Sequence, residues 1–299
     1  MASKIREKIR KELRENREVT KYSDKYEYYA RDWKENVIGE MSPEHYQMFK
    51  EGAGDELEDK ITPAKAKAID SSSMLSYNFF RNIDEQNTIT IDRIVYSKVF
   101  FEVKLSTLRT SNAPANLDVA LISKDSKSVL FIESKFLEYL ESESVSFSES
   151  YFNEESYYES KEKNDLITIA KSFKNIKGHY NYGIKQNICH LISISNISKS
   201  KEARIIFQNR YKNKEQMIIS SAQTYRFLNI LFFPSHPEAE DLYNQYIKDL
   251  KKFKDNLPNS LQSYIGKTFI MTYRDLYEKM SDKISSKAEL RNRYIAHHK

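Results

Sequence analysis

Cysteine is nearly absent, with Cys189 alone in 299 residues. One thiol excludes a disulfide framework and any cysteine-rich zinc site, and its place in the apolar run 188–194 marks it as an inert core residue. Glycine and proline are scarce at six each. That excludes collagen-like and low-complexity classes and predicts long regular elements with few tight turns. No apolar run is long enough to span a membrane. The opening residues MASKIREKIRKELRENREV lack the apolar centre of a secretory signal, so the expected location is cytoplasmic. An excess of one charge sign is missing too. A formal net charge of +5 permits a polyanionic partner without demanding one, and a DNA-binding face has to come from clustering.

Charged residues and aromatics are plentiful. Charged side chains make up 30% of the chain, beside 21 Tyr and 16 Phe. The length suits one large domain or two modest ones, and it can bury a sizeable core. Most of the aromatics are expected in that core, with base stacking as the alternative use.

The most informative stretch is 116–140, NLDVALISKDSKSVLFIESKFLEYL. Two apolar runs, 117–122 and 129–136, flank the polar residues 124–127, a pattern that reads as a β-hairpin. A hairpin symmetric about Asp125-Ser126 sets Asp118 opposite Glu133. Like charges directly opposite are destabilising in an ordinary sheet, so a divalent cation with oxygen ligands is expected between them. Alternation along the strand brings Lys135 to the same side as Glu133. A salt-bridged surface hairpin is the plain alternative.

The spacing Asp-x14-Glu-x-Lys resembles the signature of the PD-(D/E)XK nuclease superfamily. The succession GDELEDK, SSSMLSYNFF, NLDVALI, FIESKFLEYL and KQNICHLI is similar to a bacterial restriction-endonuclease-like family of that superfamily, over roughly residues 50–195. It departs from the superfamily's name in having Leu117 where proline would precede Asp118. The resemblance implies a mixed α/β (α+β) fold with an αβββαβ core, a central mixed sheet flanked by helices. It implies an N-terminal helical arm at 1–50 and a nuclease-like domain at 51–299, with its core at about 51–196 and a C-terminal extension at about 197–299.

The implied activity is Mg²⁺-dependent hydrolysis of DNA phosphodiesters, with Mn²⁺ as a substitute, in restriction or phage defence. DNA repair or recombination is the alternative, as is a non-catalytic nucleic-acid-binding protein that keeps the fold. Asp118 and Glu133 would be metal ligands, joined by the backbone carbonyl of Ser134. Lys135 would orient the attacking water, deprotonate it with a lowered pKa, or stabilise the charge on phosphorus. Glu56 corresponds to the helix acid of many such nucleases and is the fourth catalytic candidate. Gln186 is an accessory polar residue under the resemblance and a surface glutamine without it. Glu102 is a second accessory acid, or an exposed strand carboxylate paired with Lys104. A homodimer would allow both strands to be cut, and a partner methyltransferase or another defence-system subunit fits the restriction role. No membrane partner is expected.

Other segments carry weaker signals. Residues 1–22 read as a charged, solvated helix with Ile5, Ile9 and Leu13 on one stripe, or as a basic arm along a phosphate backbone. The Tyr-rich stretch 22–50 looks helical, with Trp33 as a packing anchor. Gly52 and Gly54 form a flexible lead-in to a helix that opens at Asp55-Glu56-Leu57. Residues 71–80 read as a serine-capped helix, and 99–105 as a strand pairing with 117–122. The acidic, Ser- and Tyr-rich segment 141–163 reads as an insertion or a mobile loop on the rim. Residues 166–186 carry a helical stripe, while 188–194, holding His190 as a hydrogen-bonded core histidine, has strand length. Strands are expected at 203–207, 227–233 and 269–273, and helices at 239–253 and from 275 to 279. The pair His297-His298 is too short a cluster for a metal site.

Overall fold

Polar chemistry at 124–127 turns the chain as the sequence predicts. Asp125 Oδ1 accepts from the Ser123 hydroxyl at 2.6 Å and from the Lys127 amide at 3.1 Å. Ser126 takes a positive φ of 60°, so strands β3 (Ala115–Ser123) and β4 (Ser128–Lys135) fold back on each other. Their ladder runs from Ile122↔Val129 to Val119↔Ile132, and the next step sets Asp118 opposite Glu133.

The computed structural model describes residues 2–295 except 16, 18–19, 53–55, 112, 141–143, 174–179, 212–214 and 234–235. Among the described residues, helices α1 (Ala2–Glu15), α2 (Pro43–Glu51) and α3 (Ser72–Phe80) precede strands β1 (Ile89–Ile91) and β2 (Ile94–Leu105), which lead into the hairpin. After it come β5 (Ser144–Val145), α4 (Lys163–Ser172), β6 (Tyr180–Asn181), α5 (Tyr182–Lys199), α6 (Lys201–Arg210) and α7 (Ile218–Ser221). The chain then makes β7 (Thr224–Leu231), α8 (Pro237–Asp255), α9 (Asn259–Gln262), β8 (Ile265–Thr272), α10 (Tyr273–Lys279) and α11 (Lys287–Leu290). Six strands form one mixed sheet in the order β1-β2-β3-β4-β7-β8. The first four run antiparallel to one another, and β7 and β8 join in parallel. The fold is therefore mixed α/β with helices on both faces.

The faces follow from alternation along β4. The Ser134 side chain donates to the Ser72 carbonyl at the start of α3, at 3.1 Å. Glu133 and Lys135 point the other way, to α5. Helix α3 begins at the cap Ser71, whose hydroxyl accepts from the Met74 amide at 3.3 Å. Such a cap contributes about 1 kcal/mol. Residues 73–80 are all buried. No helix among the described residues is long and apolar enough to cross a membrane.

Several expectations need correction. Residues 188–194 lie in α5, not in a strand. A short apolar run does not distinguish a buried helix from a buried strand, and here the stretch 190–197 is buried on every side. Asn181 caps this helix by accepting from the Gly183 amide at 3.0 Å. Residues 203–207 lie in α6, where Ala203 and Phe207, four apart, are the buried pair. The Tyr-rich stretch 22–50 is helical only at Trp33–Asn36 and in α2. No helix opens at Glu56, where the chain bends, and Asp55 lies outside the described residues. Helix α1 is not a freely solvated rod, because Ile5, Ile9 and Leu13 belong to the main buried cluster. The acidic segment is packed too. Its Phe147, Tyr157 and Tyr158 are buried, although 141–143 lie outside the described residues. His297-His298 and Gly54 lie outside them as well.

Candidate active site

Three carboxylates stand abreast on neighbouring strands. The pairs Phe101↔Val119 and Val103↔Leu117 bring Glu102 of β2 level with Asp118 of β3, and Asp118 is level with Glu133 of β4. All three line one cleft of about 540 Å³, with Lys135, Glu56, Gln186 and His190 also in its wall. The structure thus brings together every side chain that the sequence singled out for this site.

Glu133 is the most tightly held member. Lys135 Nζ donates to its Oε1 at 2.6 Å, and His190 Nε2 contacts its Oε2 at 2.8 Å. With the carboxylate as acceptor, Nε2 carries the imidazole proton. Burial alone would raise the Glu133 pKa, but Lys135 and His190 hold it down to about 2. Lys135 also donates to Gln186 Oε1 at 2.7 Å. Burial pulls the lysine pKa down, yet Glu133 beside it more than offsets that and raises it. The expected lowered pKa is therefore corrected: Lys135 is kept as a cation.

Asp118 Oδ2 accepts from the Ser134 amide at 2.6 Å. The Lys135 carbonyl accepts from Phe232 on the β7 side. Successive residues of a strand alternate their hydrogen-bonding side, so the Ser134 carbonyl points to the β3 side of the strand. Burial, then Glu133, then Glu102 push the Asp118 pKa well up. Glu102 behaves likewise, raised by burial and then by Glu56. It is not the exposed partner of Lys104, being 3% exposed. Its backbone takes a φ of 53°, a conformation that costs a non-glycine residue about 1–3 kcal/mol. Asn116 donates to its Oε2. Gly52 ends α2 against the same residue, and any Cβ there would lie 2.8 Å from Glu102 Cβ. That glycine is a close-approach position and not a flexible lead-in. Glu56 accepts from the Ser73 hydroxyl at 2.9 Å and pairs with Lys65 at 3.4 Å.

The residues missed by sequence reasoning sit around this row. His190 has a partner in the site itself, and its spacing of four from Gln186 places both on one face of α5. That signal is legible only once 182–199 is taken as a helix. Arg6 and Arg10, spaced likewise on α1, line the cleft beside Asp70.

The donor set is the hard-oxygen kind that Mg²⁺ takes, usually one or two carboxylates with several waters retained. Asp118, Glu133 and the Ser134 carbonyl could supply it. Among the described residues no three His, Cys, Asp or Glu side chains converge on one point. The raised Asp118 pKa speaks for the fit, because like charges confined here are what a dication relieves. It also fixes a sign. An acid whose folded pKa lies above its unfolded one favours the fold most below about 3.8, and that contribution is lost as pH rises through the folded value. Asp118→Asn is therefore expected to melt higher than the wild type at pH 7 in EDTA, with the gap closing towards pH 4. Each 1 kcal/mol relieved raises the midpoint by about 2 °C in a chain of this size. Equal midpoints across that pH range would contradict the charge repulsion.

No protein-family model, curated protein or solved structure matches the chain.

Proposed function

We propose that this chain is a Mg²⁺-dependent endodeoxyribonuclease of the PD-(D/E)XK type, acting in restriction or phage defence, with Mn²⁺ able to substitute. The observation that carries the reading is the row Glu102, Asp118, Glu133 across three strands, with Lys135 on the same face. A sheet built only for stability does not align three carboxylates. The succession α3, β2, β3, β4, α5, β7 is compatible with the αβββαβ core of that superfamily.

Phosphodiester hydrolysis must set a water in line with phosphorus and offset the extra negative charge of the transition state. A bound Mg²⁺ supplies positive charge and an acidified water. Asp118, Glu133 and the Ser134 carbonyl would hold it. Lys135, kept as a cation by Glu133, orients the water and balances charge on the phosphate instead of removing a proton. Gln186 fixes the lysine amine and His190 fixes the Glu133 carboxylate. Glu56 and Glu102 extend the negative floor.

The test is incubation of supercoiled plasmid and of heat-denatured DNA with Mg²⁺, wild type beside Glu133→Ala. Products from the wild type alone, stopped by EDTA and restored by Mg²⁺ or Mn²⁺, are expected. Equal cleavage by both proteins, or none of either DNA by the wild type, would overturn the proposal. Cutting that depends on a recognition sequence would favour restriction, whereas cutting at nicks or branches would favour repair or recombination.

A further inference from the structure

Helix α5 carries two contacts that hold the catalytic row, Gln186 on Lys135 at 2.7 Å and His190 on Glu133 at 2.8 Å. The seating of this helix therefore sets the geometry of the site. Its sequence lacks the narrow apolar stripe that would fix its rotation. Residues 183–197 are all buried or half-buried. Counted at 3.6 residues per turn, Ile184, Ile188, Leu191, Ile192, Ile194 and Ile197 spread round more than half of the helix. A stripe that wide discriminates poorly between neighbouring rotations.

A polar pair supplies what the apolar pattern does not. Asn229 of β7 is level with Glu133 of β4 in the parallel ladder, so its side chain emerges on the same face, beside the glutamate. Its Nδ2 donates to Asn187 Oδ1 at 2.8 Å, and Asn187 Nδ2 donates to the Gly183 carbonyl at 2.8 Å. In sequence Asn187 is next to Gln186 and one helical turn before His190. Asn196, which donates to the Ser106 and Thr107 carbonyls, ties the far end of the helix to a loop. Asn187 ties the end over the site to the sheet itself.

Stability does not account for this pair. Both asparagines are 0% exposed, and Asn229 Oδ1 is buried without a partner among the described residues. An unmet buried acceptor costs free energy, whereas two apolar groups of the same shape would carry no such cost. A buried asparagine in a coiled coil works in this way, fixing register at a cost in stability.

We infer that the Asn187–Asn229 pair positions the active site: it sets the rotation of α5 on the sheet, and through it the placement of Gln186 on Lys135 and of His190 on Glu133. The consequence for cleavage rests on the nuclease reading, but the consequence for His190 does not.

The test compares the wild type with Asn187→Leu/Asn229→Leu, each as the full chain carrying ¹⁵N at its six histidines. In the wild type the buried His190 Nε2–H gives an imidazole cross-peak protected from exchange with water, and its loss in His190→Gln assigns it. The double variant is expected to melt at or above the wild type, because no polar atom of the pair is left unmet, and above either single variant. The cross-peak is nonetheless expected to vanish. For DNA cleavage kcat should fall about a hundredfold, the cost of a misplacement of about 1 Å. If the leucine pair melts well below the wild type, Asn187→Ala/Asn229→Ala, which cannot overpack the interface, replaces it with the same two losses expected. A chain left unfolded by either replacement would overturn the inference, because the asparagines would then serve the fold itself. A wild type without the cross-peak, a variant that retains it, or a variant that cuts as fast as an active wild type would also overturn it. Loss of the cross-peak in a chain whose wild type cuts no DNA would overturn the nuclease and leave the positioning pair. A retained cross-peak with full cleavage would do the reverse.

Discussion

Glu133→Gln is expected to reduce DNA cleavage by about a thousandfold or more while keeping the shape of the side chain. Metal-ion catalysis contributes several kcal/mol of transition-state stabilisation, and each 1.36 kcal/mol is tenfold in rate. Glutamine can still accept a hydrogen bond, but it offers a cation no charge. The same substitution should weaken the fold. Glu133 is held to a pKa of about 2 by Lys135 and His190 against the cost of burial. Because that value lies below the unfolded one, its stabilisation is present above about pH 4.5 and is lost as pH falls through about 2. At pH 7 the variant leaves the Lys135 ammonium buried without its anion, and breaking such a pair costs about 3–5 kcal/mol. Cleavage rates and urea unfolding at pH 7 check both effects. A variant that cuts within tenfold of the wild type would remove Glu133 from the site.

The hairpin was legible because its signals are local. Polar residues at 124–127 and alternation on both sides fix the register, and the ladder keeps it as far as Val119↔Ile132. Helix α3 was legible from its serine cap, and β7 and β8 from apolar runs bounded by turn residues. What the sequence hid depends on tertiary packing. Residues 188–194 carry isoleucines that suit a strand, yet they lie in a helix that is buried all round from 190 to 197, and the error concealed the pairing of Gln186 with His190 over Lys135 and Glu133. Glu102 looked like an exposed strand acid because nothing local reveals that its backbone turns to positive φ against Gly52. Arg6 and Arg10 looked solvated because their partner, Asp70, is about sixty residues away in sequence and wholly buried.

Lys135→Met is expected to abolish cleavage and also to destabilise the chain, which separates it from an ordinary surface substitution. From the sequence alone, Lys135→Ala is expected to abolish cleavage while leaving the fold intact. The structure changes that expectation, since Lys135 is 5% exposed and its ammonium is the main counter-charge to Glu133. Its pKa is raised in the fold, so the stabilisation is complete below about pH 10.5 and is lost only as pH rises through the folded value. Methionine leaves Glu133 with His190 as its remaining polar partner. A loss of about 3–5 kcal/mol lowers the melting point by about 5–8 °C, taking about 2.1 cal/mol/K per residue for the unfolding entropy. The double variant Glu133→Gln/Lys135→Met decides whether the pair acts as a unit. With both charges gone no unpaired ion remains, and a buried pair replaced by neutral groups is close to neutral in stability. The double variant should therefore melt above either single variant while remaining inactive. If its destabilisation equals the sum of the two singles, the two groups are not coupled, and the lysine is held by something other than the glutamate. Recovery of stability without recovery of cleavage would mean that the ion pair is retained for chemistry and not for the fold.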